Sequence, residues 1–144
     1  MTVEADYRLP RTVIPSRYEL TLEPDLGNAS FTGSEVVAVE VVQRTKEVVL
    51  NAIELVISAA AMVDASGTRT EAVDITYDEG KERATFHFDD ELAAGDWELH
   101  TTFSGILNDN LHGFYRSTYK DADGEEQVIA TTQFEATDAR RAFP

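Results

Sequence analysis

The sequence predicts an all-β fold, an antiparallel β-sandwich, with a short helix starting at its C-terminal end. Three observations carry this expectation. Apolar and polar residues alternate with period two through most of the chain, as they do in strands half-buried in a sheet. Turn signals built from Gly, Asp, Asn and Pro separate these runs at roughly 8–12-residue intervals. No fixed-period repeat or low-complexity segment interrupts the pattern, and 144 residues fit a single domain with a real core.

Met1 to Asp6 is polar and reads as a loose tail. Leu9-Pro10 and Ile14-Pro15 force extended backbone before each proline. Tyr18, Leu20 and Leu22 then alternate with Glu19, Thr21 and Glu23, a half-buried strand closed by Pro24-Asp25 and Gly27-Asn28. Phe31 to Val42 is a second strand with Val37, Val39 and Val41 on one face. Gly33 within it marks a bulge or a close backbone approach. After a polar turn at Gln43 to Lys46, Val48-Val49-Leu50 is apolar on both faces and reads as a central strand. Leu55 to Ile57 makes a fourth. Ser58 to Ala65 reads as strand or irregular, because its alanines favour helix while caps are missing.

Gly67 to Thr70 is a loop, and Val73, Ile75 and Tyr77 begin a hairpin. Its turn, Asp78-Glu79-Gly80-Lys81, has a glycine available for positive φ. Ala84, Phe86 and Phe88 alternate on the return strand. Trp97, Leu99, Thr101 and Phe103 alternate on the next, opposite Glu98, His100 and Thr102. Gly105 to Gly113 has no period and reads as a loop. Phe114 to Tyr119 and Glu125 to Glu135 form a last hairpin around Asp121-Ala122-Asp123-Gly124.

Twelve basic against twenty-seven acidic residues give a net charge of −15. Nucleic acids and anionic membranes select basic surfaces, so neither is an expected partner. There is no cysteine, hence no disulfide framework and no thiolate metal site. No apolar run reaches membrane-spanning length and no signal-peptide pattern opens the chain, so a cytoplasmic setting is expected. Asn28-Ala29-Ser30 matches a glycosylation sequon by chance in that setting.

The last stretch concentrates the polar chemistry. Strand alternation through Val128 to Phe134 puts Ile129, Thr131, Gln133 and Glu135 on one face. An amide and a carboxylate thus stand two positions apart. Spacing alone also fits ordinary solvated residues at a strand end. Thr137 reads as a helix N-cap with Asp138 in the first turn.

Thr132-Gln133-Phe134-Glu135-Ala136-Thr137-Asp138-Ala139-Arg140-Arg141-Ala142-Phe143-Pro144 resembles the end of the N-terminal domain of gluzincin-type zinc aminopeptidases, the family of aminopeptidase N and puromycin-sensitive aminopeptidase. Leu9-Pro10, Val13-Ile14-Pro15, Tyr18-Glu19-Leu20 and Phe31-x-Gly33 resemble its opening. Leu107-Asn108-Asp109-x-Leu111-x-Gly113-Phe114-Tyr115-Arg116-Ser117-x-Tyr119 is similar to its later block. The resemblance covers essentially the whole chain and implies a saddle-shaped β-sandwich over 1–144, a single N-terminal domain with the catalytic zinc domain absent from this chain. It implies that Gln133 lines the pocket for the substrate's first side chain and that Glu135 helps hold the free α-amine. It implies zinc in the full-length enzyme, peptide N-termini as substrates and the catalytic domain as partner in cis.

The chain alone is expected not to be an enzyme. No nucleophile–base pair can be assembled, and the His-Glu-x-x-His zinc helix of the family is absent. His87, His100 and His112 are not at ligand spacing, so no metal is expected on this chain. Asp121 to Glu126 fits a hairpin turn better than a calcium loop, since its glycine comes too early. Phe114 and Tyr115 read as core, Arg116 as the partner of an acid. Arg140 and Arg141 read as partners for carboxylates of the missing domain. Without its neighbour, the domain should expose the face that neighbour covers, and self-association is expected. The alternative from another class is a non-catalytic β-sandwich protein-interaction module.

Overall fold

The computed structural model describes residues 8–144; the polar tail expected at Met1 to Asp6 lies outside them. Among the described residues ten strands follow one another: β1 Val13–Asp25, β2 Ser30–Val41, β3 Thr45–Asn51, β4 Leu55–Asp64, β5 Arg69–Glu71, β6 Asp74–Asp78, β7 Arg83–Leu92, β8 Gly95–Ile106, β9 Gly113–Lys120 and β10 Glu126–Gln133. A four-residue 3-10 helix, Asp138–Arg141, closes the chain. The strands pair antiparallel throughout, in a five-stranded sheet ordered β1-β2-β8-β4-β5, a three-stranded sheet β3-β7-β6 and a two-stranded ribbon β10-β9.

The two larger sheets face each other across one apolar core. Val37, Val39, Leu99 and Phe103 come from the wide sheet, and Val48, Leu50, Ala84, Phe86 and Phe88 from the narrow one. This is the sandwich that the period-two pattern predicts, and β7 and β8 bury the alternating sets read from the sequence. Gly33 is a close approach and not a bulge. The β2 register runs through it unbroken, and the Phe103 ring occupies the space a side chain would need.

Several expectations are corrected. Tyr18 and Leu20 are not half-buried core residues; they are 41% and 38% exposed. β1 is the outermost strand of a five-stranded sheet that faces only three strands, so the core covers its inward face near Val13 and Leu22, and Tyr18 between them packs edge-on against the Phe143 ring. β3 is an edge strand, not a central one. Val49 is nevertheless partly covered, because its outer face lines a cleft beside the C-terminal turn. Of the loop expected at Gly67 to Thr70, Arg69 and Thr70 instead belong to a short strand, Arg69–Glu71, against β4. Ser58 to Ala65 is strand almost to its end, broken by a bulge between Ile57 and Ala59. The bulge shifts the alternation by one, so Leu55 and Ile57 point inward before it, and Ala60 and Met62 after it. The Tyr77 hydroxyl accepts the Ile57 amide there, at 2.9 Å.

The wide sheet also buries a carboxyl group. Glu35 lies on the same face of β2 as Phe31, Val37 and Val39 and is 2% exposed. Its Oε1 accepts the Thr101 hydroxyl at 3.1 Å, while Oε2 has no partner. Burial pushes its pKa up to about 7, against a smaller opposing effect of the Thr101 hydrogen bond.

Candidate functional site

The site is built where the ribbon returns to the sandwich. β9 leaves a turn in which Gly113 adopts φ +73°, a conformation glycine takes without strain. Phe114 is buried edge-on against Phe31, with ring centroids 5.0 Å apart. This roots one end of the ribbon in the core. Gly113 pairs with Gln133 at the last rung of the ladder.

β10 ends at Gln133, so Glu135 is not on a strand and does not share a strand face with Gln133 as the alternation predicts. The two residues are brought together differently. The Glu135 backbone N–H donates to the Gln133 Oε1 at 2.6 Å, across a turn. Both residues are exposed. A backbone N–H can only donate, so the amide oxygen must face it and the Gln133 Nε2 is left pointing elsewhere as a free-standing donor group. The Glu135–Ala136 peptide bond is cis.

The chain then folds back onto the sandwich. The Asp138 N–H donates to the Phe134 carbonyl at 3.0 Å. The short helix starts at Asp138 as expected, but it is a single 3-10 turn, and the Thr137 hydroxyl makes no capping bond. Phe143 packs edge-on against both Tyr18 and Phe134, at 5.8 and 6.1 Å between centroids. Ile53 donates its N–H to the Arg140 carbonyl at 3.0 Å.

Arg140 and Arg141 find carboxylates within this domain, which corrects the reading that they await acids elsewhere. Arg140 Nη1 lies 3.2 Å from the Glu82 carboxylate. Arg141 donates through Nε to Asp138 and through Nη1 lies against Glu54, each at 2.9 Å. Burial works against the Arg141 charge, but the hydrogen bonds it donates to Asp138 and Glu54 and their negative charge outweigh this, and its pKa is raised. Glu54 and Glu82 sit in tight turns at φ 59° and 54°. The left-handed residue of the β6–β7 turn is thus Glu82 and not Gly80. Its carbonyl also accepts the Ala52 N–H at 2.9 Å.

The other candidates resolve into local structure. His87 contacts Thr76 and Glu47, and His100 contacts Glu98. The Asn108 side chain donates to the His112 carbonyl. Asp121 accepts the Gln127 side chain and the amides of Asp123 and Glu125, a hairpin turn; these bonds, the Gln127 one first, hold its carboxyl below the usual range. Arg116 faces Asp109 at 3.8 Å. Among the described residues no group of three or more His, Asp or Glu side chains is arranged to hold a metal ion. Also among them, no helix is long and apolar enough to cross a membrane. A cleft of about 450 Å³ opens beside the turn, lined by Pro10, Val13, Tyr18, Leu50, Phe143 and Pro144, but neither Gln133 nor Glu135 reaches it.

Comparison with known proteins gives the family of the chain. The family model of the peptidase M1 N-terminal domain matches residues 14–144. The chain belongs to that family. Aminopeptidase M1-C of Oryza sativa subsp. japonica is 44% identical over 137 residues, covering 95% of this chain and 15% of the relative. Aminopeptidase 2 of Candida albicans is 42% identical over 137 residues, 94% of this chain and 14% of the relative. Puromycin-sensitive aminopeptidase of Caenorhabditis elegans is 34% identical over 137 residues, 95% and 14% respectively. The chain is thus an M1 aminopeptidase N-terminal domain that spans about one seventh of the length of these relatives. Sequence reasoning missed Glu35, Glu54, Glu82 and the role of Gly113. For Glu35 the signal was present, since extending the Val37-Val39-Val41 face backwards reaches it.

Proposed function

We propose that this M1 N-terminal domain serves a zinc-dependent aminopeptidase by supplying Glu135 and Gln133 to the site that receives a peptide's free amino terminus. An exopeptidase must tell an α-ammonium from an internal amide. A fixed carboxylate does so, because it accepts strong hydrogen bonds from the ammonium and offers nothing comparable to an amide nitrogen. Glu135 fills this role, and Gln133 walls the pocket for the first side chain. The observation that carries the reading is the exposed Gln133–Glu135 pair, tied by its 2.6 Å hydrogen bond at the rooted end of the ribbon.

The pair lies on an open surface, which suits a pocket whose other walls come from the catalytic domain in cis. Zinc and its chemistry belong to that domain, and the setting is cytoplasmic. A hydrogen bond to a charged group contributes about 1.5–3 kcal/mol, and each ~1.4 kcal/mol is tenfold in rate. In the full-length enzyme, Glu135→Ala should therefore lower kcat/KM on an aminoacyl anilide by roughly ten- to a few hundred-fold. An Ala variant with unchanged kcat/KM removes Glu135 from the amine-anchor role.

A further inference from the structure

We infer that Arg141 is a positioning residue for Glu135, acting as a clamp behind the amine site; this rests on the anchoring role proposed above. Three parts of the chain meet at this one side chain. Its guanidinium bridges Asp138 in the 3-10 helix and Glu54 in the β3–β4 turn, each at 2.9 Å. Its stem fills the space left by Gly113, where an added Cβ would lie 2.7 Å from the Arg141 Cβ. Gly113 is in turn the ladder partner of Gln133, whose amide oxygen holds the Glu135 N–H. The segment carrying Glu135 is therefore fixed at its start by the ribbon and at its end by the guanidinium. The Arg141 and Asp138 side chains are 17% and 21% exposed, so their ion pair is partly shielded from water, while Glu54 approaches from the exposed side.

The clamp also settles a problem of charge. Two arginines follow within six residues of a carboxylate meant to receive a cation. Left free, either could fold back and neutralise Glu135. Arg140 is engaged by Glu82, and Arg141 by two carboxylates at once. A guanidinium suits the second task because its planar fork reaches two acceptors in fixed geometry, which a lysine ammonium cannot reproduce.

The test uses the full-length enzyme and steady-state kinetics on an aminoacyl p-nitroanilide, with Arg141→Lys, Glu54→Gln, Glu135→Gln and the two doubles that include Glu135→Gln. A carboxylate that holds the ammonium alike in the ground and transition states acts through KM, so misplacing it raises KM with little change in kcat. Arg141→Lys is expected to raise KM roughly tenfold with kcat changed by less than about threefold. Glu54→Gln, which leaves Arg141 and its Asp138 bond in place, should give a smaller rise of the same kind. Both effects should vanish once Glu135 is already Gln, because a clamp has nothing left to position. Effects that persist undiminished in the Glu135→Gln background, or an Arg141→Lys enzyme with native KM, overturn the inference while the anchor reading stands. A neutral Glu135→Gln removes the anchor reading and the clamp with it. If Arg141→Lys does not fold, the Glu54→Gln pair decides the question by the same criterion.

Discussion

Replacing Glu35 by Gln should stabilise the protein at neutral and alkaline pH and leave it unchanged in acid. The carboxyl is 2% exposed, one of its oxygens is unpartnered, and its pKa is pushed up from an ordinary 4.5 to about 7. The folded chain therefore holds this proton more tightly than the unfolded chain does. Between pH 4.5 and 7 the unfolded state binds fewer protons, so stability falls as pH rises through that window. Below it the group is protonated in both states and costs nothing. Above it the full cost of an ionised buried carboxyl applies. A shift of this size corresponds to about 3 kcal/mol, from 1.36 kcal/mol per unit. Gln keeps an oxygen for the Thr101 hydroxyl and cannot ionise, so the penalty disappears. Urea unfolding followed by circular dichroism at pH 4, 6 and 8 reads the difference directly. The variant should match the native chain at pH 4 and exceed it by up to about 3 kcal/mol at pH 8. Parallel pH curves for the two proteins would refute the reasoning, because they would mean that Glu35 does not titrate differently on folding.

Gly113→Ala should destabilise the chain by about 2–3 kcal/mol in urea unfolding, since Ala at φ +73° is strained and its Cβ meets Arg141. A cost below about 0.5 kcal/mol would show that the turn simply relaxes. The partly exposed face of β1, with Tyr18 and Leu20 accessible, should make the isolated chain self-associate. Light scattering that shows only monomer at high concentration contradicts this.

The sandwich was legible because burial in this chain follows strand parity almost everywhere. Phe86 with Phe88, and Leu99 with Phe103, are inside for the reason their spacing suggests. Legibility failed where parity is reset or where cover depends on a distant element. The bulge after Ile57 changes the phase of β4 midway, so no single period describes Leu55 to Met62. Tyr18 and Leu20 alternate as core residues do, yet the facing sheet is two strands narrower, and nothing local encodes its width. In the candidate site, the motif located Gln133 and Glu135, but spacing gave the wrong way of joining them. A hydrogen bond across a turn, and not a shared strand face, brings them together. Besides the neighbouring Asp138, the acids that hold Arg140 and Arg141 are Glu82 and Glu54, more than fifty residues away in sequence and in conformations that glutamate rarely adopts.

The ribbon β9–β10 belongs to neither layer of the sandwich. Its root is buried through Phe114, while Tyr119 and Ile129 further along are 51% and 43% exposed. A two-stranded hairpin is only marginally stable by itself, so its outer half should open and close without disturbing the core. Amide hydrogen exchange would then run in a gradient, fast at Thr118 to Gln127 and slow towards Gly113 and Gln133. A melting curve, which reports loss of the core, would be blind to this motion. Variants confined to the outer half of the ribbon should therefore change exchange at Thr118 to Gln127 with an unaltered Tm, whereas the rung that pairs Gln133 with Gly113 opens only with the core.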